Sequence, residues 1–117
     1  MKPVVKSLDD LEFKPVEIAE KTWIKWVFSP KDGVPNFSMR IFRMEQGGKI
    51  PEHKHPWEHE ILILKGRGKI TIGGEEYDVK EGDAIFIPPD LPHSYEAYEE
   101  VMFLCMIPNK GVPPELR

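Results

Sequence analysis

Gly47-Gly48-Lys49-Ile50-Pro51-Glu52-His53-Lys54-His55-Pro56-Trp57-Glu58-His59 places three of the chain's four histidines within seven residues. The fourth, His93, follows a second glycine–proline stretch that begins at Gly82. Imidazole is the commonest metal-ligating side chain, and four at these spacings can close around one ion. Successive side chains on a strand point to opposite faces, so His53 and His55 share a face. The same alternation puts His59, Ile61 and Ile63 on one face of the next strand. Glu60, Leu62 and Leu64 then lie on the other.

Outward from this stretch, nine glycines and twelve prolines punctuate short runs rich in Ile, Val, Phe, Trp and Tyr. Such a pattern reads as many short strands. The predicted strands are Thr22 to Ser29, Phe37 to Glu45, Lys49 to His55, His59 to Lys65, Lys69 to Ile72, Glu76 to Val79, Ala84 to Ile87, His93 to Ala97 and Val101 to Ile107. Gly73-Gly74 is a two-residue hairpin signal, and Lys80-Glu81-Gly82-Asp83 a tight turn. Only Ser7 to Ile18 has room for a short helix, and Pro15 interrupts it. Evenly spaced strands without helical partners predict an all-β sandwich or barrel.

One hundred and seventeen residues make a single domain, 1–117, with an amino-terminal arm over 1–21. Hydrophobic residues at 40% supply one core, and charged residues at 31% give a polar surface. The net charge of −4 is spread without a basic block, which argues against a nucleic-acid partner. No apolar run approaches the roughly 18 residues of a membrane span. The amino terminus carries no apolar secretion signal, so the expected location is the cytoplasm. Cys105 is the one cysteine, which excludes an intrachain disulfide. It sits in the apolar run Val101 to Ile107, where it reads as a small buried hydrophobe. That run, like His59 to Leu64, is apolar on both faces and needs cover on both. The cover expected is the amino-terminal arm, a second subunit, or both, with a homodimer as the default.

Two segments resemble the paired motifs of the cupin family. The first family motif is G-x5-H-x-H-x3,4-E-x6-G. Gly47, His53, His55, His59 and Gly66 match its register, with His59 in place of the glutamate. The second is G-x5-P-x-G-x2-H-x3-N. Gly82, Pro88 and His93 match it, with Asp90 in place of glycine and Ala97 in place of asparagine. Fifteen residues separate Gly66 from Gly82, a short intermotif length usual in small cupins. The motifs run over about 47–66 and 82–97, nearly half the chain. The resemblance implies a double-stranded β-helix (jelly-roll) barrel with a metal inside its mouth, and a dimer. The stretch from His55 to Ile61 looks like small single-domain cupins with a manganese-type, all-histidine site. It implies no single reaction, because a fold of this kind carries many.

Glu60 also fits the three-or-four spacing, but the distance to Gly66 favours His59. A one-residue shift turns Glu60 to the opposite face. The predicted ligands are therefore His53, His55, His59 and His93. Four neutral imidazoles leave the ion's charge uncompensated and draw in anionic ligands. Nitrogen ligation suits Fe, Ni, Cu, Zn and Co; manganese is what the resemblance implies, with iron next. Pocket candidates are Arg40, Trp57, Phe103 and Cys105. Arg40 lies in an apolar strand, where an arginine is costly unless paired; it either holds an anionic substrate or forms a salt bridge at a sheet edge or interface. Trp57 either shields the mouth or packs beneath it. Phe103, Cys105 and Ile107 share one strand face. The function expected is a metal-dependent oxidoreductase, dioxygenase-like, acting on a small oxygen-rich or anionic molecule. The alternatives are a non-enzymatic binder or sensor of a small ligand or metal, and a metal-dependent isomerase or lyase.

Overall fold

Alternation in the sequence becomes alternation in burial. The computed structural model describes all residues 1–117. It contains nine strands: β1 (Lys14–Pro15), β2 (Glu20–Phe28), β3 (Phe37–His53), β4 (His59–Lys65), β5 (Arg67–Ile72), β6 (Glu75–Lys80), β7 (Ala84–Ile87), β8 (His93–Ala97) and β9 (Val101–Pro108). In β4, His59, Ile61 and Ile63 are buried while Glu60, Leu62 and Leu64 are exposed. In β9, Val101, Phe103, Cys105 and Ile107 are buried and the residues between them only half so. The apolar members of these inward sets, with Phe42, Met44, Ile50, Ile70, Val79, Ile87 and Tyr95, belong to one core cluster. The chain is all-β, a curled antiparallel sheet forming a jelly-roll barrel.

All pairings are antiparallel, in the order β6-β5-β8-β3-β9-β4-β7, with β2 on β3 and β1 on β2. The two strands predicted over Phe37 to Glu45 and Lys49 to His55 are one 17-residue strand, Phe37–His53. It survives the glycine pair because it bends there. Gly47 takes φ +81°, and a Cβ on Gly48 would meet the Glu45, Lys21 and Glu20 carbonyl oxygens at 2.9 to 3.1 Å. On one side of the bend β3 pairs with β9 from Phe37 to Met44; beyond it, from Lys49, it pairs with β8. That bend brings the first histidine pair beside His93, and His53 is the register partner of His93.

Ser7 to Ile18 is not a helix. It holds one 3-10 turn, Leu8–Asp10, and the short β1. Pro15 cannot donate in a helical ladder, and this stretch pairs with Trp23 and Ile24 of β2 instead. The arm covers part of the outer face: the Lys25 ammonium donates to the Leu8 carbonyl at 2.8 Å and lies over the Phe13 ring. Further along that face, Leu62 and Leu64 stay 39% and 37% exposed. No helix is long and apolar enough to cross a membrane.

Candidate metal centre

β3, β4, β8 and the loop between β3 and β4, which carries His55, bring the four imidazoles to one region inside the barrel mouth. The ring centroids of His53 and His93 are 4.3 Å apart, His53 and His55 4.8 Å, and His59 and His93 4.9 Å. His53, His55 and His93 each bring one ring nitrogen within 4.8 Å of the others. His59 is not part of that closest trio, although its ring lies 5.2 Å from His55. His59 and His93 are buried, 1% and 2% exposed.

Backbone geometry fixes two of the tautomers. Nδ1–H of His53 donates to the Pro51 carbonyl at 2.8 Å, and Nδ1–H of His93 to the Leu91 carbonyl at 2.9 Å. A carbonyl only accepts, so each Nε2 is left with a lone pair. His55 stacks on Trp57 at 4.6 Å and 5°. His59 Nδ1 faces the Cys105 Sγ at 3.5 Å. Glu52, Glu58 and Glu60, the carboxylates nearest in sequence, make no hydrogen bond to a ring nitrogen; backbone carbonyls and a thiol take that part. Glu60 borders an outer groove with Phe37, Glu58 and Met106.

Electrostatics favour the neutral form of three of the rings. Burial first, then the neighbouring cationic groups, pushes His55 down to about 4 and His59 to about 2; burial also lowers His93. Nε2 of His59 and of His93 is buried with no hydrogen-bond partner. Orphaned buried nitrogens are rare and call for a ligand. Imidazoles with free lone pairs converging from three strands and one loop are the donor set a divalent transition ion takes. The residues present therefore fit a metal.

Beside the cluster lies a cavity of about 250 Å³, lined by Val16, Ile18, Ile24, Arg40, Phe42, Ile50, Tyr95 and Phe103 with His53, His55 and His59. Arg40 and Phe103 thus reach the cavity. Trp57 does not line it: the indole packs behind His55 and over Gly111, where an added Cβ would sit 2.6 Å from its ring. Cys105 also stands behind the wall, between His59 and Arg40. The sequence reading overlooked Tyr95, although it is two residues beyond His93 and so must share its face. Burial holds its phenol well above the usual range, so it keeps its proton. Ile24 and Val16 could not have been found, because the amino-terminal segments reach the mouth only through the β2–β3 pairing.

One motif departure, at Asp90, has a local explanation. Asp90, where the motif has glycine, keeps the glycine-like backbone at φ +66°, and its N–H donates to the His55 carbonyl at 2.7 Å. Aspartate tolerates this region better than most residues, so the two motifs stay tied together. Gly66 admits no substitute: φ is +83° and a Cβ would overlap the Glu100 carbonyl oxygen.

A jelly-roll barrel with inward imidazoles at its mouth defines a small β-barrel protein with a candidate mononuclear metal centre. The chain belongs to the cupin family: the cupin domain model matches residues 40–107. It is 49% identical over 51 residues to an uncharacterized protein of Methanocaldococcus jannaschii, covering 43% of this chain and 41% of that one. It is 43% identical over 76 residues to quercetin 2,3-dioxygenase of Bacillus subtilis, covering 64% of this chain and 23% of the relative. The chain thus spans less than half the length of these curated relatives. Among solved structures it is similar to the polyketide cyclase RemF of Streptomyces resistomycificus, with a TM-score of 0.83 and 30% identity, covering 93% of this chain and 80% of that one.

Proposed function

We propose that this protein is a metal-dependent oxidoreductase of the dioxygenase type, acting on a small oxygen-rich molecule. His53, His55, His59 and His93 would hold one divalent ion, manganese first and iron next. The observation that carries this reading is the convergence of four imidazoles beside an apolar cavity, two of them, His59 and His93, buried with an Nε2 that lacks a partner. A bound ion of this kind supplies Lewis acidity and, for manganese or iron, electron transfer. The chain's own part is to position and to exclude water. The Pro51 and Leu91 carbonyls hold two ligand rings in place, as partners of ligating histidines do. Ile24, Phe42, Ile50 and Phe103 keep the cavity dry. The protonated Tyr95 hydroxyl offers a donor to a substrate oxygen. The likeness to quercetin 2,3-dioxygenase supports oxygen chemistry.

A second reading, Lewis-acid catalysis without oxygen, is favoured by the likeness to a polyketide cyclase over 93% of the chain. One experiment separates them. Manganese- or iron-loaded protein is incubated with flavonols, catechols and small β-diketones under air and under argon, with oxygen uptake and product followed together. Product formed only with oxygen uptake supports the first reading, and product under argon the second. Binding without product from any compound would leave a non-enzymatic binder.

The same reading has the protein working as a homodimer. Support comes from the outward rows of the sheet: Phe86, Glu60, Met106 and Met39 in one, and Ala84, Leu62 and Leu104 in the next.

A further inference from the structure

Arg40 is a cation without an anion. It lies on β3 opposite Trp26 of β2 and Cys105 of β9, on the inward face. Its Nε is buried and has no hydrogen-bond partner. Its one polar contact is a weak one, Nη2 to the Cys105 Sγ at 3.4 Å. None of the molecule's salt bridges includes it, whereas Arg43, three residues on and facing outward, sits within 4 Å of both Glu45 and Glu100. What faces the Arg40 guanidinium instead is aromatic: Phe42 at 5.0 Å and Trp26 at 5.4 Å. Such contacts compensate only part of a desolvated charge.

The cavity makes the imbalance functional. No carboxylate lines it; its charged group is Arg40, and the remaining lining is imidazole, phenol and hydrocarbon. The side chain is half-buried and a guanidinium cannot shed its charge by losing a proton, so an anionic occupant is what would supply the missing charge. One fork of donors amid apolar walls fits one planar carboxylate. A phosphate would call for several donors, and the wall has no lysine and no second arginine. A dry cavity of roughly 150 Å³ accepts benzene; at about 250 Å³ this one has room for a single ring or short chain with its head group.

We propose that Arg40 anchors the carboxylate of a small organic acid whose apolar body lies against Ile24, Phe42 and Phe103, with a further oxygen directed at the histidine cluster. The last clause rests on the metal-centre reading above; the carboxylate anchor does not.

The test uses benzoate and its neutral isostere benzamide, titrated calorimetrically into the full chain, metal-free and manganese-loaded. Wild type is expected to bind benzoate about tenfold or more tighter than benzamide in both states, the range of a charge-assisted hydrogen bond. Arg40→Gln should abolish that preference and leave manganese content unchanged, while Arg40→Lys keeps part of it. No preference in wild type overturns the proposal without recourse to any variant. So does a preference that persists in Arg40→Gln, or phenyl phosphate outcompeting benzoate. Wild type that retains no manganese but shows the Arg40-dependent preference would sink the metal centre and leave the anchor standing. Manganese retained with no preference would do the reverse.

Discussion

Replacing His59 by Ala, with Glu60→Ala in parallel, tests the register on which the metal centre depends. The two residues are neighbours on β4 but point to opposite faces. His59 is 1% exposed, with an orphaned Nε2; Glu60 borders the outer groove. Metal bound only to the folded state adds RT ln(1 + [M]/Kd), about 4.1 kcal/mol when manganese stands a thousandfold above Kd. For a domain of this size roughly 1 kcal/mol moves Tm by about 4 °C, so saturating manganese should raise wild type by ~16 °C. Losing a ligand should weaken binding at least a hundredfold, more than the loss of an outer-shell partner. That leaves about 1.4 kcal/mol and a rise of ~6 °C or less in His59→Ala. Glu60→Ala should keep the full rise. Differential scanning calorimetry of each variant with and without manganese reads the shift within one protein, so the cavity left by the imidazole cancels. An undiminished rise in His59→Ala, or an equal loss in Glu60→Ala, would refute the reasoning.

Three further outcomes follow from the geometry. Asp90→Gly relieves a left-handed backbone and also loosens the unfolded chain, so it should change stability by less than about 1 kcal/mol, while Asp90→Val should destabilise by roughly 1–2 kcal/mol; urea denaturation reads both, and a valine variant as stable as wild type would contradict the φ of +66°. The metal-free protein should lose stability as pH falls below 6.5, because unfolded imidazoles take up protons that folded His55, at about 4, and His59, at about 2, refuse; the full contribution is present above 6.5, and thermal melts of chelator-treated protein that do not change between pH 7.5 and 5 would count against the burial of these rings. Leu104→Glu, placing a carboxylate beside Leu62 on the outer face, should convert a dimer to a monomer in sedimentation experiments; a wild type already monomeric at about 100 μM would dismiss the interface, since an obligate contact of standard size holds far below that.

The side-chain period of two was enough to sort most residues before any coordinates. Seven of the nine predicted strands correspond one to one with observed strands, and the other two fuse into β3. The inward placement of His59 and the outward placement of Glu60 follow from parity and the distance to Gly66. Less legible was the amino-terminal arm, where propensity is weak and a pairing with β2 decides the backbone. The carbonyl partners of His53 and His93 were also hidden, because a backbone acceptor leaves no trace in residue identity.

The sequence by itself determined that the chain is all-β, where its turns fall, and which side chains share a strand face, because these are local consequences of alternation and turn chemistry. Tertiary structure alone decided that β3 bends at Gly47-Gly48 to set His53 beside His93, that Cys105 and Trp57 stand behind the histidine rings, and that Arg40 faces a cavity with no carboxylate. Those outcomes depend on contacts between segments far apart in the chain, such as Arg40 and Cys105, which are 65 residues apart. The physical reason is that burial and charge pairing belong to the neighbours a fold assembles; no window of sequence contains them.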